Sequence, residues 1–211
     1  MELRPALSPD KVMTDFERAH MNRLMSLFPN ASLSCCLFHL GQSIYRKVME
    51  LGFKERYNTD VHFSLKVRCI IALAFLPIED VVDGFEELGE DDDIPHELLS
   101  YFEINYLGCV RGRGQRRRRG TPYFPMEMWN MNSRTISNMP RTNNSVEASH
   151  KALQTSLVSA HPSIWKLISK IREEESYARI KLMELNQGET EEKKAYKNIN
   201  NRLKHLIQNY D

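Results

Sequence analysis

The sequence predicts an α/β protein: a layer of parallel strands, interrupted by helices and followed by a helical C-terminal third. Three observations carry this. Apolar segments alternate strand, helix, strand, helix over residues 8–58. No strand pattern breaks the run from Asp60 to about Leu107. Beyond Asn144 the apolar residues recur at helical spacing. Alternating strands and helices are the grammar of a parallel sheet covered by helices.

"DKVMTD" reads as a short strand that presents Val12 and Met13 and ends at Asp15. "FERAHMNRLMSLF" places Phe16, Ala19, Leu24, Leu27 and Phe28 close to helical spacing, and Pro29-Asn30 stops it. "ASLSCCLFHL" is short and turn-bounded, so it reads as a buried strand. "GQSIYRKVMELG" carries an apolar stripe at Leu40, Ile44, Val48 and Leu51, with Gly52 positioned as its C-cap. "VHFSLKVRCIIALAFL", "PIEDVVDGFEEL" and "PHELLSYFEINYL" read as three helices, the last two opening on a proline. "TPYFPMEMWNMN" is Pro-broken and aromatic, and reads as an extended return to the first layer.

Asn144 or Ser145 can cap a helix carrying Val146, Leu153 and Leu157. Pro162 opens a long helix with Ile164, Trp165, Ile168 and Ile171 on one face. A last helix, from about Glu189, uses Ala195, Tyr196, Ile199, Leu203, Leu206 and Tyr210.

Composition excludes some classes. No apolar run approaches the roughly 20 residues that span a bilayer, so no membrane partner is expected. "MELRPALSPD" lacks the apolar region of a secretory signal. Cys35, Cys36, Cys69 and Cys109 are too irregular for a disulfide framework, which makes a reducing compartment, nuclear or cytoplasmic, the default.

The net charge of +1 conceals a separation. Eleven carboxylates and no Lys or Arg lie between Cys69 and Val110, and then "RGRGQRRRRG" brings six arginines in ten residues. Arg111, Arg113, Arg116, Arg117, Arg118 and Arg119 are candidate phosphate contacts. A solvated linker with no partner explains the same run.

Two carboxylates and a histidine stand out. Asp15, at the C-terminal end of a strand, occupies the edge where open α/β sheets build their sites. Serving as N-cap of the following helix is its simpler reading. Glu147 sits one turn into its helix, where an acid complements the positive end of the helix dipole. Paired carboxylates of this kind also suit Mg²⁺, and two such ions can drive phosphodiester chemistry. Cys36-x-x-His39 offers two soft ligands, but no second pair completes a zinc site. His150 follows Glu147 by three residues, on the same helix face.

Together, "TDFERA", "FPNASLSCCLFHLGQSIYRKVMELGF", "ALAFLPIEDV", "YFEINYLG", "FPMEMWN" and "MPRTNNSVEASHKAL…HPSIWKLI" resemble the Mutator-like element (MULE) transposase domain, from about Ser8 to the "IREEE" region. The resemblance implies an RNase H-like α/β fold with an all-helical insertion. It also implies an Asp-Asp-Glu triad that cuts and joins DNA with Mg²⁺ or Mn²⁺.

By that match Asp15 falls on the second Asp and Glu147 on the Glu, as catalytic and metal-holding residues. Cys36, His39, Asn143, Asn144 and His150 fall on family signature positions. The expected partition is a partial catalytic core at 8–58 and 121–186, an insertion at 59–120 containing the basic loop 111–120, and a C-terminal helix at 187–211. The expected partner is double-stranded DNA at transposon ends, with a possible homo-oligomer.

Such a domain should open with a strand carrying the first Asp. Fourteen residues precede Asp15, and Asp10 is their sole aspartate. Asp10 belongs to the same strand as Asp15 and cannot substitute. The expectation is therefore an incomplete RNase H-like fold without its N-terminal strands, from a transposase-derived protein that is catalytically inactive alone. A domesticated DNA- or protein-binding module without chemistry is the alternative, and a decaying reading frame a third.

Overall fold

The computed structural model describes residues 8–112, 118–157, 162–186 and 194–210. β1 (Lys11–Thr14) leads into α1 (Arg18–Leu27), and β2 (Ser32–Cys35) into α2 (Leu37–Glu50). The two strands pair in parallel, Lys11 opposite Ser32 and Thr14 opposite Cys35. Side chains alternate across a strand. Val12, Thr14, Leu33 and Cys35 therefore share one face, and Lys11, Met13, Ser32 and Ser34 the other.

β2 stops earlier than its sequence suggests. The helical spacing of Leu40, Ile44 and Val48, all fully buried, extends back to Leu37, so the chain turns helical directly after Cys36. His39 thus lies in a first helical turn and not on a strand. Gly52 closes α2 as expected: at φ +82° it takes the left-handed conformation, and the amides of Gly52 and Phe53 return to Met49 O and Val48 O.

α3 (Lys54–Thr59), α4 (Val61–Ala72), α5 (Val81–Gly89) and α6 (His96–Phe102) follow, with a single π-type turn over Glu103–Leu107. Asp60 caps α4 by accepting from the Phe63 amide. Phe63, Val67, Ile70, Val81, Leu98 and Phe102 join Leu40 and Ile44 in one continuous core. Beyond it, β3 (Val110–Arg111) and β4 (Arg118–Arg119) form an antiparallel pair. At Gly108 (φ +83°) a Cβ would sit 1.8 Å from Gly120 O, so only glycine permits that approach.

"TPYFPMEMWNMN" does not return as an extended segment. It folds into α7 (Met126–Trp129) and, with the next residues, α8 (Asn132–Ile136). Pro125 immediately precedes α7. Trp129 is wholly buried and donates from Nε1 to Tyr106 O and Phe124 O, both at 3.2 Å. Asn130 and Asn132 donate to Leu76 O and Phe75 O, each at 2.9 Å, and Met131 N reaches Ala74 O. These bonds fasten the α7–α8 junction to the turn that follows α4.

The fold class predicted from the sequence is therefore corrected. Among the described residues there are two two-stranded sheets and otherwise helices, not an RNase H-like α/β sheet. Both segments that would have widened the sheet, the second half of "ASLSCCLFHL" and the Pro-broken return, are helical because their large apolar side chains meet the core only at helical spacing. No described helix is long and apolar enough to cross a membrane.

The chain divides at the 142–143 junction into two units. The second, Asn143–His205, contains α9 (Asn144–Leu157), which packs on α10 (Ile164–Asn186), and most of α11 (Lys194–Gln208).

Candidate metal centre

The parallel pair ends by placing two side chains next to each other. Cys36 N donates to Thr14 O at 3.0 Å, which holds the exits of β1 and β2 in register. The chain leaves β1 at Asp15 and leaves β2 into α2, whose first turn carries His39. The result is a contact of 3.1 Å between Asp15 Oδ1 and His39 Nδ1, with side chains 46% and 18% exposed. Leu37 N also donates to Arg141 O at 2.9 Å, tying the segment before Thr142 to the start of α2.

This geometry removes the simpler reading of Asp15. The N-cap of α1 is Glu17, with no side-chain capping bond, so Asp15 is not the N-cap of that helix. Asp10 lies just before β1, at the end of the strand opposite Asp15.

The pair opens into a cleft of about 470 Å³, lined further by Glu17, Ser43, Arg46, Lys47, Tyr101 and Tyr106. Ser43 Oγ bonds the hydroxyls of Tyr101 and Tyr106 at 2.8 and 2.7 Å. Burial drives the Tyr106 hydroxyl well above its ordinary pKa, so it stays protonated and able to donate. Lys47 pairs with Glu50 at 2.7 Å and stands 5.6 Å over the Tyr101 ring. One wall thus combines a carboxylate and an imidazole, and the cations Arg46 and Lys47 lie about two turns further along α2. That is the donor set for a cation bridged to a phosphate.

The residues fit some ions better than others. Two ligands at right angles with bonds of about 2.1 Å lie roughly 3.0 Å apart, close to the observed 3.1 Å. Mg²⁺ takes hard oxygen ligands, so an imidazole nitrogen suits it poorly. A first-row transition cation such as Mn²⁺ accepts nitrogen as well as oxygen, and the Asp15–His39 pair fits it better. The same separation also suits a plain ion pair.

Cys36 does not share this chemistry. It is fully buried at the N-cap of α2, and among the described residues no group of three or more ligand-type side chains includes it. Its neighbour Cys35 is equally buried, and burial pushes that thiol up to about 12.

The second unit carries the remaining signature residues. Asn143 O accepts from the amides of Val146 and Glu147 at 2.9 and 3.1 Å, so α9 is entered from Asn143, one residue ahead of Asn144 and two ahead of Ser145, the caps expected from sequence. Glu147 is half-buried in the first turn, where the helix dipole favours it. Asn144 and His150 are exposed.

The arginines divide. Arg111 is exposed on β3 and pairs in register with Arg118 on β4. Arg119 is spoken for: it contacts Glu103 at 2.6 Å, Glu86 at 3.1 Å and Gly108 O at 3.1 Å. Arg113, Arg116 and Arg117 lie outside the described residues.

The sequence reading missed Ser43, Arg46 and Lys47. Their signal was present, since 39, 43, 46 and 50 form a polar stripe on α2 across from Leu40, Ile44 and Val48. Tyr101 and Tyr106 arrive from about sixty residues away and carry no local signal. No protein-family model, curated protein or solved structure matches this chain.

Proposed function

We propose that this chain derives from a Mutator-like element transposase and acts as a nucleic-acid-binding domain that holds a divalent cation at Asp15 and His39. What supports the reading is the 3.1 Å contact of Asp15 Oδ1 with His39 Nδ1, at the exits of two parallel strands. The cation neutralises a backbone phosphate, and Arg46 and Lys47 in the same cleft offset its carboxylates Glu17 and Glu50. Glu147 is assigned from the resemblance as the further carboxylate.

As this polypeptide the domain does not cut DNA. Metal-assisted phosphodiester cleavage by a pair of ions needs carboxylates that bridge both. Asp15 and Glu147 are two, Asp10 sits at the wrong end of β1 to be a third, and Glu17, though it lines the cleft, falls on no triad position of the resemblance.

The test is end-labelled duplex DNA incubated with the protein and Mn²⁺ or Mg²⁺, read in parallel by gel shift. The reading expects retarded DNA, tighter with Mn²⁺, and intact strands. Nicking that disappears in Glu147→Gln would show an active enzyme. Mn²⁺-independent binding, unchanged in Asp15→Asn, would remove the cation from the account.

A further inference from the structure

The outer face of the β1–β2 pair is not covered by the core. Lys11, Ser32 and Ser34 project from it, and Ser133, Arg134 and Ser137 of α8 and its C-cap face them across a cleft of about 480 Å³. Arg134 is the unusual member. Its guanidinium donates to Cys35 O at 3.4 Å and to Pro140 O, while its Nε is buried without a partner. Among the described residues no carboxylate pairs with Arg134 or Lys11, and Lys11 Nζ reaches only Met139 Sδ, at 3.2 Å.

Burial lowers the pKa of Arg134, and Arg141 nearby adds like charge. A half-buried guanidinium bonded only to carbonyls lacks a counter-charge. The cleft contributes two cations and one carboxylate, Glu127, so it carries a net positive charge. Four hydroxyls surround it. Hydroxyls beside a guanidinium and an ammonium are the donors that a tetrahedral oxyanion takes.

We infer that this cleft is a phosphate-binding site, in which Lys11 and Arg134 supply charge and Ser32, Ser133 and Ser137 supply hydrogen bonds, while the Ser34 hydroxyl donates to Val12 O. It shares no residue with the Asp15–His39 cleft, so the two assignments stand or fall separately. The phosphate is either free or part of a polynucleotide backbone, since both present the same oxygens.

The experiment is an amide ¹H–¹⁵N titration of the whole chain, in one arm with inorganic phosphate and in the other with a short single-stranded DNA lacking terminal phosphates. Saturable shifts at Ser32, Ser34, Ser133 and Arg134 are expected. Lys11→Ala, and Ser133→Ala with Ser137→Ala, should each weaken the affinity about tenfold, the loss of a charge-assisted bond. Lys54→Ala, on exposed α3, should leave it unchanged. Shifts with phosphate support a free-anion site, and shifts with DNA alone support a backbone site. Arg134→Lys adds a further check where far-UV dichroism shows that it folds. No saturable shift at these residues in either arm, or undiminished affinity in both the Lys11 and serine variants, overturns the site.

Discussion

Trp129 offers the sharpest test of how the cleft is supported. It is completely buried, with Phe102 edge-on at 5.6 Å, and its Nε1 bonds the carbonyls of Tyr106 and Phe124. Tyr106 and Phe124 both line the Asp15–His39 cleft, so Trp129 is its buttress. Trp129→Ala removes the ring and leaves a cavity, a change that costs about 3–5 kcal/mol. Trp129→Phe keeps most of the apolar volume and removes the N–H. Two buried carbonyls then lose one donor, for about 1–3 kcal/mol.

Domains of this size are stable by only about 5–15 kcal/mol, so the alanine variant should be close to unfolding. The assay is urea denaturation followed by far-UV dichroism, with the slope checked for constancy. An alanine variant that loses less than about 1 kcal/mol, or a phenylalanine variant as stable as the parent, would refute the buttress.

Three further outcomes are expected. The bond from the Phe63 amide holds the Asp60 carboxyl below its ordinary range, so its contribution is present above about pH 4 and disappears as the pH falls further. Asp60→Ala should therefore lower the melting temperature at pH 6 and do so much less at pH 3. At pH 8 a thiol reagent should modify the half-buried Cys69 and Cys109 well before Cys35, whose raised pKa keeps it as thiol. Because only unfolded Cys35 ionises between about pH 9 and 12, stability should fall across that window. Arg119→Ala should lose about 1 kcal/mol of stability, since it breaks contacts to Glu103 and Glu86. The slope of DNA affinity against salt should stay unchanged in that variant, and flatten when Arg113, Arg116 and Arg117 are neutralised.

What the sequence conveyed well was periodic and local. The stripe of Leu40, Ile44 and Val48 located α2, Gly52 located its end, and Asp15 was rightly read as the exit of a strand. The failures share a cause. At Cys36 a short apolar run fits strand or helix equally, and the core's preference for Leu37 on the α2 stripe decides it. In α1 the expected stripe included Leu27, yet Met21 is the buried residue and Leu27 is half-exposed. The parallel pair covers only a narrow strip of that helix, so spacing could not show which residues would meet it. In "TPYFPMEMWNMN" two prolines suggested an extended chain, but Trp129 finds its acceptors on Tyr106 and Phe124 and pulls the segment into a turn. Sheet width depends on such long-range choices, and for that reason the RNase H-like expectation failed, while the Asp15–His39 contact, a pair the sequence did not suggest, arises from the turn into α2 at Cys36.

The direct measurement of the central claim is a Mn²⁺ titration of the ¹⁵N-labelled protein, followed by paramagnetic broadening. The account predicts that amides of Thr14, Asp15, Phe16 and His39 broaden first, at substoichiometric ion, and that Asp15→Asn abolishes the effect. Broadening confined to the acidic stretch Glu90–Asp93, with Asp15 and His39 still sharp, would contradict it.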